Sequence, residues 1–206
     1  MLFFGHVGIT LCAAAALANL APVQSHATVE ARPEAPTATS DPTTPCRLSF
    51  LDALANLVDI RVLLIGSLLP DIIDKPLGHL VFRQALSNGR VYAHTLLFLL
   101  MITVGGGWLY RKSHRTWLLA LSFGTAMHLL LDQMWLEPHT LLWPFFGFAF
   151  GKSDISDWIP NMLHGLFTDP AVYLSELVGL AAVVWLGLVL MRRRHIRAFL
   201  RRGTIN

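Results

Sequence analysis

Charged side chains supply only 14% of this 206-residue sequence, against roughly 25% in an ordinary soluble domain. That shortage excludes a well-hydrated globular surface. Cysteine is scarcer still. Cys12 and Cys46 are the whole complement, with neither the spacing of a metal knuckle nor the numbers for a disulfide framework. No stretch alternates convincingly enough to read as a strand, and no internal repeat is visible. The net charge of +3 is modest, and no basic folded domain accompanies it, which argues against a nucleic-acid partner.

What the chain has instead is apolar length. Hydrophobic residues reach 54%, the mean hydropathy is +0.53, and the apolar residues fall in blocks. A bilayer-spanning helix needs about 20 mostly apolar residues. The stretches 2–21, 91–110, 116–135 and 171–191 meet that length. A fifth, 54–69, is shorter and carries Asp59 and Arg61, so it needs other helices around it or crosses only part of the bilayer. The first stretch lacks the positive leader of a secretory signal peptide and reads as a retained helix. Residues 22–50 are rich in Ala, Pro, Thr and Ser and read as a flexible linker without a core.

The expected architecture is therefore all-α: a polytopic helical membrane protein with about five membrane-embedded helices. A short apolar segment at 141–150 adds an interfacial or re-entrant piece. The divisions are a first membrane helix at 1–21, the linker at 22–50, a helical membrane domain at 51–191 and a basic tail at 192–206.

Arginine and lysine set the orientation. Arg111, Lys112 and Arg115 join two of the apolar stretches, and Arg192, Arg193, Arg194, Arg197, Arg201 and Arg202 fill the tail. Basic loops stay cytoplasmic and face anionic lipid headgroups. The expectation is a cell (inner) membrane protein with its N-terminus outside and its C-terminus in the cytoplasm.

Against this apolar background, ionisable groups need a reason to be present. His6 opens the first helix. Asp71 and Asp74 end the second, in Pro70-Asp71-Ile72-Ile73-Asp74. His94 is placed one turn into the third helix, and His128 and Asp132 lie near the end of the fourth. The orientation, fixed by basic residues alone, puts all six on the outer face. His128 and Asp132 are four apart and share one helix face. Pro70 is expected to break its helix and turn Asp71 and Asp74 toward one point. Three imidazoles and three carboxylates suit Zn²⁺ or another first-row divalent metal. Each group also has a plainer reading: a lone membrane histidine usually ties helices together, and an aspartate caps a helix or meets water. Their gathering on one face favours the metal.

Arg90 lies just outside His94 and suits a substrate phosphate, or else it snorkels to the interface. Glu176, inside the last helix, reads as a helix–helix contact. His26, His79, His114, His139, His164 and His195 lie in loops, linker or tail; His114 and His195 fall on the cytoplasmic side and are excluded from the site.

Gly5-His6, Leu69-Pro70-Asp71-Ile72-Ile73-Asp74, Gly89-Arg90 with His94-Thr95, and His128-Leu-Leu-Leu-Asp132 together resemble a bacterial and archaeal family. It is the family of membrane-bound metal-dependent hydrolases, which includes an inner-membrane protein of the LexA regulon. The family is distantly related to zinc-dependent phospholipase C. Lys75 stands where many members have histidine, and the segment from Gly89 to Thr95 reads Gly-Arg-Val-Tyr-Ala-His-Thr where the usual pattern is His-Arg-Gly-x-Thr-His-Ser, so a second histidine is lost and the number of metals is left open.

The resemblance implies a metal site of His6, Asp71, Asp74, His94, His128 and Asp132, zinc as the metal, and hydrolysis of a phosphate ester in a lipid or lipid-linked substrate. Asp74 is the expected general base and Arg90 the phosphate-binding group. Two rivals use the same residues. A metal or proton transporter needs a polar path from both sides, whereas the inner halves of the helices look apolar. In a non-catalytic scaffold the polar groups only tie helices together.

Overall fold

The computed structural model describes residues 3–20, 54, 57–78, 89–150 and 158–203. The 22–50 linker lies outside the described residues, as do His26, His79, Asp154 and Asp157. Among the described residues the chain is helical with no strand.

Helix α1 spans Phe3–Leu20, a run of small and linear apolar residues with Ala13 to Ala16 at its centre. Its first backbone N–H groups would be orphaned. Those of Phe4 and Gly5 donate instead to the Glu176 carboxylate at 2.9 and 3.0 Å. Glu176 belongs to α8 (Pro170–Arg192), which begins with Asp169 as side-chain cap and Pro170 in the first turn. Between these lie α2 (Ile60–Gly66), α3 (Leu69–Pro76), α4 (Leu96–Ser113), α5 (Trp117–Leu131), the one-turn α6 (Pro138–Leu141) and α7 (Trp158–Thr168). A final short helix, α9, covers Ile196–Arg202.

Two close crossings assemble the bundle. α1 packs on α8 at Gly8 and Gly179, where a Cβ on either residue would overlap the other helix's backbone. α2 packs on α5 at Gly66 and Gly124, where an added Cβ would lie 2.5 Å from the Leu121 or Leu63 carbonyl oxygen. Small residues at such crossings let helix backbones touch, the main attraction available where water is absent. Leu11, Ala14, Ala15, Ile60, Leu63, Leu186 and Leu190 fill the core between the pairs.

The bundle has two unlike ends. At one, Arg61 donates to the Leu200 carbonyl at 2.7 Å, Thr116 reaches the Leu57 carbonyl, and α4 and α8 finish in Arg111, Lys112 and Arg192. At the other lie the start of α1, the start of α8, α3 and the end of α5. Along the sides, Leu100, Met101, Val104 and Trp108 of α4 and Leu174, Leu177 and Val178 of α8 are each more than half exposed. Contiguous bare faces of this kind belong against lipid or a partner surface.

Several expected boundaries shift. α1 and α8 are long and apolar enough to cross a membrane. Among the described residues the other three expected spans do not combine that length and composition, so two such helices are found where five were expected. α5 is apolar over only 15 residues and ends where the chain turns at Gln133, in the left-handed region at φ 53°. α4 starts at Leu96 and carries Arg111 and Lys112 in its last turn. His94 therefore precedes that helix rather than lying one turn inside it. The stretch 54–69 divides at Ser67: Pro70 opens α3 and does not end α2. The apolar 141–150 segment is mostly irregular, with Trp143 stacked on Phe150 and both edge-on to Tyr92.

Gly179→Ala should lower stability by about 1–3 kcal/mol through overpacking. Gly107→Ala, with no neighbouring atom within 4 Å, should be neutral or stabilising, as helix propensity favours alanine by up to about 1 kcal/mol. Thermal unfolding of both variants in detergent measures the contrast.

Candidate metal centre

The site is built at the ends of helices, where backbone groups lose their helical partners. Asp74, in the last turn of α3, has no exposed surface. A bare buried carboxylate is costly. The chain ahead of α4 folds around it: the N–H groups of Val91, Ala93 and His94 donate to its oxygens at 2.7, 3.0 and 3.1 Å. His94 Nδ1 lies 2.7 Å from the same carboxylate. Thr95 then caps α4 by accepting from the Phe98 N–H.

His128 comes from α5. Its Nδ1 lies 2.7 Å from the Ser67 carbonyl, which is available because α2 stops there. The two rings meet edge-on, and their Nε2 atoms are 3.3 Å apart. Asp71 Oδ1 lies 3.7 Å from His94 Nε2 and 3.8 Å from His128 Nε2. The other Asp71 oxygen is held by Lys75 Nζ at 2.6 Å.

Asp132, the C-terminal cap of α5, places Oδ2 3.9 Å from His128 Nε2 and Oδ1 3.1 Å from His6 Nε2. His6 stacks on His128 with ring centroids 4.1 Å apart. The His6–Asp132 approach is close but out of line for a hydrogen bond, and neither His6 nitrogen makes one. Arg90 spans Asp132 and Glu137 at 3.1 and 2.8 Å. All three histidines are 1% exposed or less.

The carboxylate and the carbonyl behind His94 and His128 can only accept hydrogen bonds, so both Nδ1 atoms carry protons. In neutral rings both Nε2 atoms then present lone pairs, and these face each other. Two arrangements relieve the clash: an imidazolium donating to its neighbour, or a cation shared between them. Two donor groups each suit a metal ion, His6, His128 and Asp132, and Asp71, His94 and His128.

All six side chains expected at the site from their chemistry thus gather at one end of the bundle. Their arrangement differs from expectation at Asp74. That carboxylate sits behind His94, its oxygens engaged by three N–H groups and a ring nitrogen, so it orients a histidine and does not face the cluster. The Ser67 carbonyl was not foreseen, and Glu137 stood among several carboxylates on the outer side that nothing singled out. A backbone acceptor leaves no mark in the sequence, whereas the need of Arg90 for an acidic neighbour was a signal that could have found Glu137. Glu176 is a helix–helix contact, as expected, and also caps α1. Among the described residues, His114, His139, His164 and His195 belong to neither donor group.

An all-helical chain with lipid-suited flanks and buried His and Asp groups at one end belongs to the class of membrane proteins. Over residues 1–199 it matches the family described as YdjM inner membrane protein, and it belongs to that family. Membership gives a location, the inner membrane, and no reaction. No curated protein and no solved structure matches the chain.

Asp74→Asn keeps the shape but turns an amide group toward backbone donors, leaving at least one unsatisfied. The expected loss is about 1–3 kcal/mol. Unfolding in detergent, with hydrogen exchange at the Val91, Ala93 and His94 amides, reads it: those amides should exchange faster than in the wild type.

Proposed function

We propose that this protein is a membrane-embedded metal-dependent hydrolase whose centre is formed by His94, His128 and Asp71, with His6 and Asp132 alongside. The observation that carries the reading is the 3.3 Å separation of two Nε2 lone pairs whose rings are each locked from behind. Two imidazoles on one tetrahedral zinc, at 2.0–2.1 Å each, hold their nitrogens about 3.3 Å apart. The donor set of nitrogen and carboxylate oxygen suits zinc over magnesium or calcium.

A metal held by these residues would supply a Lewis acid and lower the pKa of a coordinated water toward about 7. The protein's own groups do the rest. Asp74 fixes the tautomer and aim of His94, and the Ser67 carbonyl does the same for His128. A proton-accepting role passes from Asp74 to Asp71 and Asp132, the carboxylates that face the imidazoles. Arg90, partly exposed and already bridging two carboxylates, is placed to exchange Glu137 for a substrate phosphate.

The site's place in the bundle supports a multi-pass arrangement with the N-terminus outside. The basic residues gather at one end and the His and Asp groups at the other, as basic-inside orientation requires. α1 is read as retained, since it supplies His6 and much of the core. A phosphate ester of a lipid or lipid-linked molecule fits a site at the outer membrane surface. The one-sided placement of ionisable groups disfavours a transport path.

Elemental analysis of detergent-purified protein should find zinc or a similar divalent metal. Asp71→Ala combined with His128→Ala should remove it; unchanged metal content in that variant would sink the reading. With metal present, a screen of phosphodiesters and phospholipids should show turnover that Asp71→Ala abolishes.

Orientation is checked separately. With Cys12 and Cys46 replaced by serine, a cysteine at position 137 should label from outside in intact cells, and one at 112 only after permeabilisation. The reverse pattern would overturn the orientation and leave the metal reading intact.

A further inference from the structure

The two central imidazoles each have an acceptor on the far nitrogen, Asp74 for His94 and the Ser67 carbonyl for His128. His6 breaks the pattern. It is 1% exposed, and both ring nitrogens lack a hydrogen-bond partner. One further buried side-chain polar atom is in the same state among the described residues: Thr10 Oγ1, on a residue with no exposed surface.

These orphans are neighbours. Thr10 follows His6 by four residues in α1, so the two side chains share one face with Cβ atoms about 5–6 Å apart. Helical Cα–Cβ bonds tilt toward the N-terminus, which leans Thr10 onto the turn that carries His6.

The behaviour of other hydroxyls in this molecule sharpens the point. Thr103, Ser113, Thr125 and Thr168 donate to the carbonyl four residues back, at 2.7, 2.9, 3.0 and 2.7 Å. This is the ordinary resting place of a helical hydroxyl in an apolar setting. Thr10 does not make that bond to the His6 carbonyl, so its oxygen is left buried without a partner. Leaving Nδ1 and Oγ1 both buried and unpaired would cost about 1–3 kcal/mol for each group.

We infer that Thr10 is the positioning residue for His6: its hydroxyl takes up the Nδ1 proton's hydrogen bond across one water, since the two atoms do not bond to each other directly. The pairing satisfies two of the three orphan atoms together. It also fixes the ring in the tautomer whose Nε2 lone pair points at Asp132 and the cluster. Without it the imidazole can turn over and exchange its nitrogens. The inference rests on the metal-centre reading above and gives His6 the outer partner that the other two histidines already have.

The test uses the full-length protein in detergent, with Thr10→Val, which keeps the shape and removes the hydroxyl, and Thr10→Ser, which keeps the hydroxyl. Zn²⁺ affinity is measured by competition with a chromophoric chelator, and the ligand field from the visible spectrum of the Co²⁺-loaded protein. Thr10→Val should weaken binding about 10-fold or more, within the range for outer-partner losses, and shift the Co²⁺ bands. Thr10→Ser should restore both.

Wild-type affinity and spectrum in Thr10→Val, while His6→Ala weakens binding, would overturn the role of Thr10 and leave the centre standing. A wild-type protein that binds no Zn²⁺ would overturn both. Should Thr10→Val fail to fold, ¹⁵N spectra of histidine-labelled wild-type protein decide the matter. A neutral His6 protonated at Nδ1 is the expected result, and one protonated at Nε2 excludes the pairing.

Discussion

An imidazole held from behind by a group that can only accept a hydrogen bond must present a lone pair in front. His94 and His128 are both held this way, by Asp74 and by the Ser67 carbonyl, and their free nitrogens are brought to 3.3 Å. In the low-dielectric interior of a membrane bundle this opposition is strong. An imidazolium or a shared cation relieves it, and the nearby carboxylates of Asp71 and Asp132 supply negative charge that matches either.

The irregular parts of the fold follow from that demand. α2 ends at Gly66, which releases the Ser67 carbonyl. The chain before α4 stays out of the helix so that three of its N–H groups can surround Asp74. α5 ends just past His128, which lets Asp132 turn toward His6 and Arg90. α2, α3 and α5 are correspondingly short, and all three have an end at the site. The close glycine crossings at Gly8–Gly179 and Gly66–Gly124 then hold the remaining lengths together where no hydrophobic effect operates between helices.

The helical class, the extents of α1 and α8, and the gathering of His6, Asp71, His94, His128 and Asp132 were legible in the sequence. Apolar length marks a helix, and an ionisable residue within such length is conspicuous. The spacing of four between His128 and Asp132 even fixed a shared face. The boundaries of α2 and α4 were not legible, because both are set by tertiary hydrogen bonds. Residues 91–95 are apolar enough to continue a helix, and only the buried charge of Asp74 draws them out of one. For the same reason Asp74 and Asp71 looked equivalent, though one faces the cluster and the other stands behind it. Lys75 holds one oxygen of Asp71 and leaves the other toward the imidazoles.

The Glu176 carboxylate reaches across 171 residues of sequence to cap the helix that bears His6. Such a contact imposes an order on biogenesis. α1 emerges from the ribosome first, with its leading N–H groups bare and its Gly8 face unmatched, and both wait until the segment around Glu176 and Gly179 has been made and inserted. The seating of His6 is therefore completed late in assembly, and a truncated product lacking α8 would leave α1, and with it His6, without the cap and the close crossing that hold it.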